Sequence, residues 1–217
     1  WQDNRRGNWD IYAAIGSLDS RTFSKETTVV NADNNQTAPA VVVDAASPGR
    51  VYVAWQDDRN GNQDIYVAHS TNAFAGSTVS RVTTNTADQT DPDMAVGEGN
   101  TVYLVWTDKR NGQADIYGAA SNASWTNVAL VTGNGNQTGP AVAVTPGTSC
   151  LHLLWVDDAA GNTDICYASS DGLPGSPLTG VSLIDDTTGA PQSAPAVACD
   201  AAGRVFACWQ DNRNMGT

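Results

Sequence analysis

WQDDRNGNQDIY, residues 55–66, is a cassette that this chain uses repeatedly. Close copies run over 1–12 (WQDNRRGNWDIY), 106–117 (WTDKRNGQADIY) and 155–166 (WVDDAAGNTDIC), and a fifth opens at Trp209 (WQDNRN). The tryptophans are 54, 51, 49 and 54 residues apart. A period near fifty means one supersecondary unit repeated along the chain.

The flanks of the second copy say what that unit is. Val41 to Val43 is a β-branched run, residues 45–49 carry turn chemistry, and Val51 to Trp55 is apolar and strand-prone. A polar loop around Gly61 follows, then the strand pattern of Asp64 to Ala68 and a fourth run at Thr78 to Thr83. This reads as strand, tight turn, strand, polar loop, strand, strand. No segment shows a capped helical period. Four short antiparallel strands per repeat predict an all-β fold, a β-propeller of about four blades in one domain over residues 1–217. The blade pieces are 1–31, 36–84, 89–132, 137–185 and 192–213. The first piece lacks the inner strands and the last lacks the outer ones. Two arrangements are open: one blade built from both termini, which hides sheet edges, or a segment of a longer array. The repetition of WQDNR at 1–5 and 209–213 fits the second better.

Within the cassette the Trp offers a flat surface for packing between sheets. The Gly (Gly7, Gly61, Gly112, Gly161) supplies a backbone conformation that other residues resist. The first Asp (Asp3, Asp57, Asp108, Asp157) is placed to bond loop amides. Arg5, Arg59 and Arg110 are expected to pair with the Asp of the DIY triplet (Asp10, Asp64, Asp115). The copy at 155–166 has Ala159 instead. A second element precedes each first strand: QTAP from Gln36, QTDP from Gln89, QTGP from Gln137 and QSAP from Gln192. Its Pro sits where a strand tolerates a missing amide. Blade connectivity puts this element and the Asp-x-Arg-x-Gly loop at one end of the sheet. Arg5, Arg59, Arg110, Gln36, Gln89, Gln137 and Gln192 are therefore the candidate binding residues.

The W-x-D-x-R-x-G-x-x-D-I-Y pattern resembles repeats of bacterial propellers of the TolB-like and sialidase-like groups, over every repeat. The resemblance implies the fold strongly and the function weakly, since such propellers serve as scaffolds, enzyme domains and structural modules. Turns such as SLDSRTF (17–23) and SSDGLPG (169–175) are at best degenerate versions of the sialidase Asp-box. A sialidase likeness would also imply an arginine triad, a Tyr nucleophile activated by Glu and an Asp acid/base. Glu26 and Glu98, the only glutamates, have no Tyr partner implied by spacing.

The net charge is −12, from 23 acidic and 11 basic residues. Such an excess of acid argues against nucleic acid, which needs a basic patch, and against anionic membrane surfaces. No apolar run approaches eighteen residues, so no membrane-inserted helix is expected. Abundant Asn, Thr, Gly and Asp with two Lys point to an extracellular or cell-surface protein. Cys150, Cys166, Cys199 and Cys208 form no C-x-x-C pair. They read as buried apolar substitutes or, in an exported protein, as one disulfide.

Asp57, Asn60, Asn62 and Asp64 alternate around Gly61 like the front half of a calcium loop, but no bidentate Glu closes it. They are the candidate metal ligands, with calcium the candidate ion; an Asp-capped turn without any cofactor is the competing reading. His69 and His152 carry no nucleophile motif. The sequence thus leads to a non-catalytic propeller module that binds a protein or glycan partner, by itself or as one part of a larger polypeptide or assembly. The alternatives are a glycan-processing, sialidase-like segment and a purely structural repeat of a surface assembly.

Overall fold

In the computed structural model every residue is described except 18, 24–25, 47, 174–177, 185–188 and 214–217. The chain divides into two compact units, Trp1–Thr90 and Asp91–Thr217. Both are built from antiparallel sheets, and among the described residues the only helical turns are two short 3-10 segments, Glu98–Asn100 and Ser121–Ala123.

In the first unit, strands β1 (Gln2–Asp3), β2 (Asp10–Ala13) and β5 (Thr27–Val30) form one sheet, with a small β3 (Gly16–Ser17) and β4 (Thr22–Phe23) ribbon beside it in sequence. The later part of the first blade piece thus holds β4 and β5 in separate sheets; residues 24–25 lie outside the described set. The next sheet, β6 (Gln36–Val43), β7 (Val51–Asp57), β8 (Asp64–Ser70) and β9 (Thr78–Arg81), pairs each strand with its successor. Apolar residues of the two sheets meet: Ile11, Val29 and Val30 pack with Val53, Trp55, Tyr66 and Phe74.

The second unit holds two further four-stranded sheets of the same order. One is β10 (Gln89–Val96, which begins just before the unit boundary), β11 (Val102–Asp108), β12 (Asp115–Ala120) and β13 (Val128–Val131). The other is β14 (Gln137–Val144), β15 (Leu151–Asp157), β16 (Asp164–Ser170) and β17 (Thr179–Leu183). Strands β18 (Gln192–Cys199) and β19 (Val205–Asp211) pair with each other. Period-two alternation gives the β14–β17 sheet two apolar faces. Val142, Leu151, Leu153 and Trp155 pack with Val105 and Ile116, while Ala141, Leu154, Val156 and Ile165 pack with Val197 and Trp209.

The cassette explains itself locally. Trp55, Trp106 and Trp155 are buried at the end of the second strand, opposite Tyr66, Tyr117 and Cys166. Each indole N–H donates to the carboxylate two residues on, at 2.9, 2.9 and 3.3 Å. A buried indole is thus satisfied without leaving its own strand. Gly7, Gly61, Gly112 and Gly161 adopt φ of 106°, 95°, 91° and 100°, the left-handed turn that a side chain would strain. The predicted helix-free repeat of four strands is what forms; what differs is the partner of the arginines.

Candidate active site

Each arginine folds back onto the first Asp of its own cassette rather than onto the DIY Asp. Arg110 donates from Nε and Nη2 to Asp108 at 2.9 and 2.6 Å, and Arg59 makes the same fork on Asp57, Arg5 on Asp3. The backbone N–H of Arg110 bonds the same carboxylate at 2.9 Å, so the tight turn fixes the choice before the side chain does. The guanidinium then lies over the DIY tyrosine, 4.6, 4.6 and 4.2 Å from the rings of Tyr12, Tyr66 and Tyr117. The expected Arg–DIY pairing is corrected accordingly. Asp115 is met instead by Asn111 at 2.8 Å, Asp164 by Asn162 at 2.7 Å, and Asp64 by Asn60 at 3.2 Å and Arg81 at 2.7 Å.

The four glutamines of the second element are buried, at 0–2 % exposure. Gln36 donates to the carbonyls of Asp33 and Asn34 at 3.1 and 3.3 Å, Gln89 to Ala87 at 2.6 Å and Gln137 to Asn134 at 3.0 Å. Gln192 accepts from the Ile165 amide at 3.0 Å. The Gln36, Gln89 and Gln137 amides thus brace the turn into the first strand, and that of Gln192 holds the preceding sheet. The expected common end of sheet is real: Asp58 N–H reaches the Asn35 carbonyl at 3.1 Å, and Gln36 is paired with Asp57.

The expected calcium loop does not converge. Asp57 is taken by Trp55 and Arg59, and Asp64 by Asn60 and Arg81. Asn60 and Asn62 turn their amide nitrogens inward, to the Tyr66 hydroxyl and to the carbonyls of Asn85 and Ala87. A hard cation needs oxygens there. Among the described residues no group of three or more His, Cys, Asp or Glu is arranged to hold a metal.

The residues that break the repeat are elsewhere. In Gln-Thr-x-Pro the residue x takes a left-handed backbone in all four copies: φ is 51° at Ala38, 55° at Asp91, 56° at Gly139 and 50° at Ala194. The ladder slips by one residue here, as between Thr37 and Ala40 or Thr138 and Ala141, which marks a β-bulge. Its amide is held by the preceding sheet: Ala38 N–H donates to Gln2 Oε1 at 2.8 Å, and Gly139 N–H to Thr107 Oγ1 at 3.1 Å. Bulges re-aim side chains, and a non-glycine residue at such φ is a costly choice that marks a position for scrutiny.

Only β10 puts a functional group at this position, the exposed carboxylate of Asp91. Two residues on, where the other inner strands have Ala40, Ala141 and Ala196, it carries Asp93. Asp93 is half-buried and accepts the Val142 N–H of β14 at 2.8 Å. Burial holds its carboxyl above the usual Asp range, against the opposing bonds from the Val142 and Met94 amides. One inner strand thus carries two carboxyl groups in unlike surroundings, the arrangement that separates an acid from a base. Both were missed in the sequence reading, although lining up the four Q-[ST]-x-P strands column by column exposes them.

No protein-family model matches the chain, and no curated protein matches it. Solved structures do share its fold. An arabinanase of Penicillium chrysogenum complexed with arabinobiose matches at TM-score 0.62 and 13 % identity over 99 % of this chain and 77 % of its own. An endo-arabinase of Bacteroides thetaiotaomicron matches at 0.58 and 14 %, over 96 % and 82 %. A putative TolB of Agrobacterium tumefaciens matches at 0.57 and 14 %, over 97 % and 69 %. With the four-stranded sheets, these neighbours make the fold a β-propeller. They also correct the functional expectation. The fold that the sequence reading assigned to a non-catalytic binding module is one that these arabinanases share.

Proposed function

We propose that this chain is a glycan-processing propeller that hydrolyses glycosidic bonds, with Asp93 and Asp91 of β10 as its carboxyl pair. The observation that carries the reading is the broken repeat: β10 alone has carboxylates at two inner-strand positions that its counterparts fill with Ala or Gly. These two lie outside the repeated pattern. Asp93, whose surroundings favour the protonated form, is the general acid that protonates the leaving oxygen. Asp91, exposed on the bulge, is the carboxylate that activates water or itself serves as the nucleophile. Two residues along a strand place Cα atoms about 6–7 Å apart, within reach of the carboxyl separations of about 5–9.5 Å that glycosidases use.

The arabinanase neighbours support testing arabinose-containing glycans first, and work on such polymers suits a protein outside the cell. A sialidase-type centre is less well supported, because Glu26 is paired with Arg5 rather than with a tyrosine. The test is reducing-end release from arabinan and galactan together with a fluorogenic glycoside panel. Turnover is expected, with Asp91→Asn and Asp93→Asn each lowering kcat by about 10²–10⁴-fold without a fall in Tm. Silence across the panel, or full activity in both variants, would overturn the proposal.

A further inference from the structure

Strand alternation brings two thiols to one face-to-face contact. On β15 the side chains of His152, Leu154 and Val156 point to the face that packs on β18 and β19, and Tyr167 of β16 joins them. Cys150, two residues before His152, falls on that face, as does Cys199, two residues after Val197. Both lie at the same end of their sheets, Cys150 in the β14–β15 turn and Cys199 at the last position of β18.

Side-chain contacts close the gap between them. His152 Nε2 is 2.9 Å from Thr145 Oγ1 and 3.7 Å from Cys150 Sγ, and its Nδ1 is 2.8 Å from the Tyr167 hydroxyl. The Thr145 side chain also lies beside the Cys199 thiol. Cys150 and Cys199 therefore share the Thr145–His152 pair as neighbours. The repeat offers no packing reason for sulfur here. The counterparts of Cys150 are Arg50, Thr101 and Arg204, and those of Cys199 are Val43, Val96 and Val144. The remaining cysteines face elsewhere: Cys166 is in the core on the opposite face, and Cys208 is exposed beside Trp209 on the other side of β19.

We infer that Cys150 and Cys199 are the two halves of a disulfide that staples β18 and β19 to the sheet before them when the chain folds in an oxidising compartment. The oxidant is a small-molecule disulfide such as oxidised glutathione. One cysteine thiolate attacks it, releasing one small thiolate and leaving a mixed disulfide. The second cysteine thiolate displaces the other small thiolate. Two protein thiols are oxidised, one small disulfide is reduced to two thiols, and the two cysteine protons end on those thiols. Burial raises the pKa of both thiols in the folded chain and lowers that of His152, which disfavours thiolate attack there.

The full chain is refolded with oxidised and reduced glutathione, its free thiols are alkylated, and it is cut before aspartate without reduction. Trypsin would leave Cys150, Cys166 and Cys199 in one fragment, because residues 111–203 contain no Lys or Arg. Cleavage before aspartate separates them into 115–156, 164–170 and 186–199, with Cys208 in 200–210. A linked 115–156/186–199 pair is expected, with Cys166 and Cys208 alkylated. Oxidised protein should melt roughly 5 °C above reduced protein, and Cys150→Ser or Cys199→Ser should abolish that difference. Alkylation of both Cys150 and Cys199 after oxidation, or a bond through Cys166 or Cys208, would overturn the inference.

Discussion

Arg110 lies with its guanidinium carbon 4.2 Å from the centre of the Tyr117 ring while its Nη2 holds Asp108 at 2.6 Å. The carboxylate is fully buried and the arginine side chain is 22 % exposed. Such a pair does little to drive folding by its own attraction, but removing one half strands the other. Arg110→Ala should therefore destabilise the chain by about 3 kcal/mol, and Arg110→Lys should restore only part, since Lys lacks the planar fork and stacks poorly. Urea midpoints at pH 7 measure both. A loss within about 0.5 kcal/mol for the Ala variant would mean that Asp108 is satisfied without its arginine.

The converse experiment is already half made in the last full cassette. There Ala159 replaces the arginine, and among the described residues the Asp157 carboxylate keeps the Ala159 amide at 2.9 Å and a longer bond of 3.3 Å from Trp155. Ala159→Arg should add the missing fork and raise stability by about 0.5–1 kcal/mol. The gain stays at this level because Cys166 stands where the other cassettes have the stacking tyrosine. An unchanged or lower Tm would show that the turn cannot present the side chain to Asp157.

Asp93 gives the chain a pH signature opposite to that of the cassette aspartates. Its folded pKa lies above the ordinary 3.8 because of burial, so the fold binds its proton more tightly than the unfolded chain does. That group favours folding at low pH, and its contribution is lost as pH rises through the folded value. Asp3 and Asp211 are held down to about 2, first of all by the hydrogen bonds of Arg5 and Arg213. Their contribution is complete above 3.8 and disappears as pH falls through about 2. Urea midpoints of the parent and of Asp93→Asn between pH 3 and 7 should therefore converge or reverse towards low pH, with the variant relatively more stable at pH 7. A difference independent of pH would refute the assignment.

How legible this was depends on which residues are compared. The repeat made the four-stranded sheets readable, because Trp, Gly and the DIY strand recur with one physical role each. The arginine partner was not readable: Asp108 and Asp115 are both within reach of Arg110 on paper, and only the turn that aims Arg110 N–H at Asp108 decides between them. Gln36 and its counterparts read as candidate binding residues because they recur beside a loop, whereas the structure buries them and has Gln36, Gln89 and Gln137 donate to turn carbonyls. Asp91 and Asp93 were overlooked for the opposite reason. Attention to what repeats hides the one strand that does not, and the pull of burial on Asp93 needs the neighbouring β14 to be seen.

Gly118 tests how tightly the third sheet is filled. It sits on β12 opposite Val105, at a position that is Val67 and Tyr167 in the neighbouring four-stranded sheets. Its φ is not positive, so adding a methyl tests space alone. That carbon would stand 2.8 Å from Leu130 Cδ1, 2.9 Å from Leu173 Cδ1 and 3.1 Å from the Leu104 carbonyl oxygen. The leucine tips can swing aside, but the carbonyl belongs to the ladder and cannot. Gly118→Ala should cost about 1–3 kcal/mol. In a Leu130→Ala background the cost should shrink, a coupling that a double-mutant cycle on urea midpoints resolves. Equal costs in both backgrounds would place the strain at the Leu104 carbonyl, and no cost in either would mean that the sheet has room to spare.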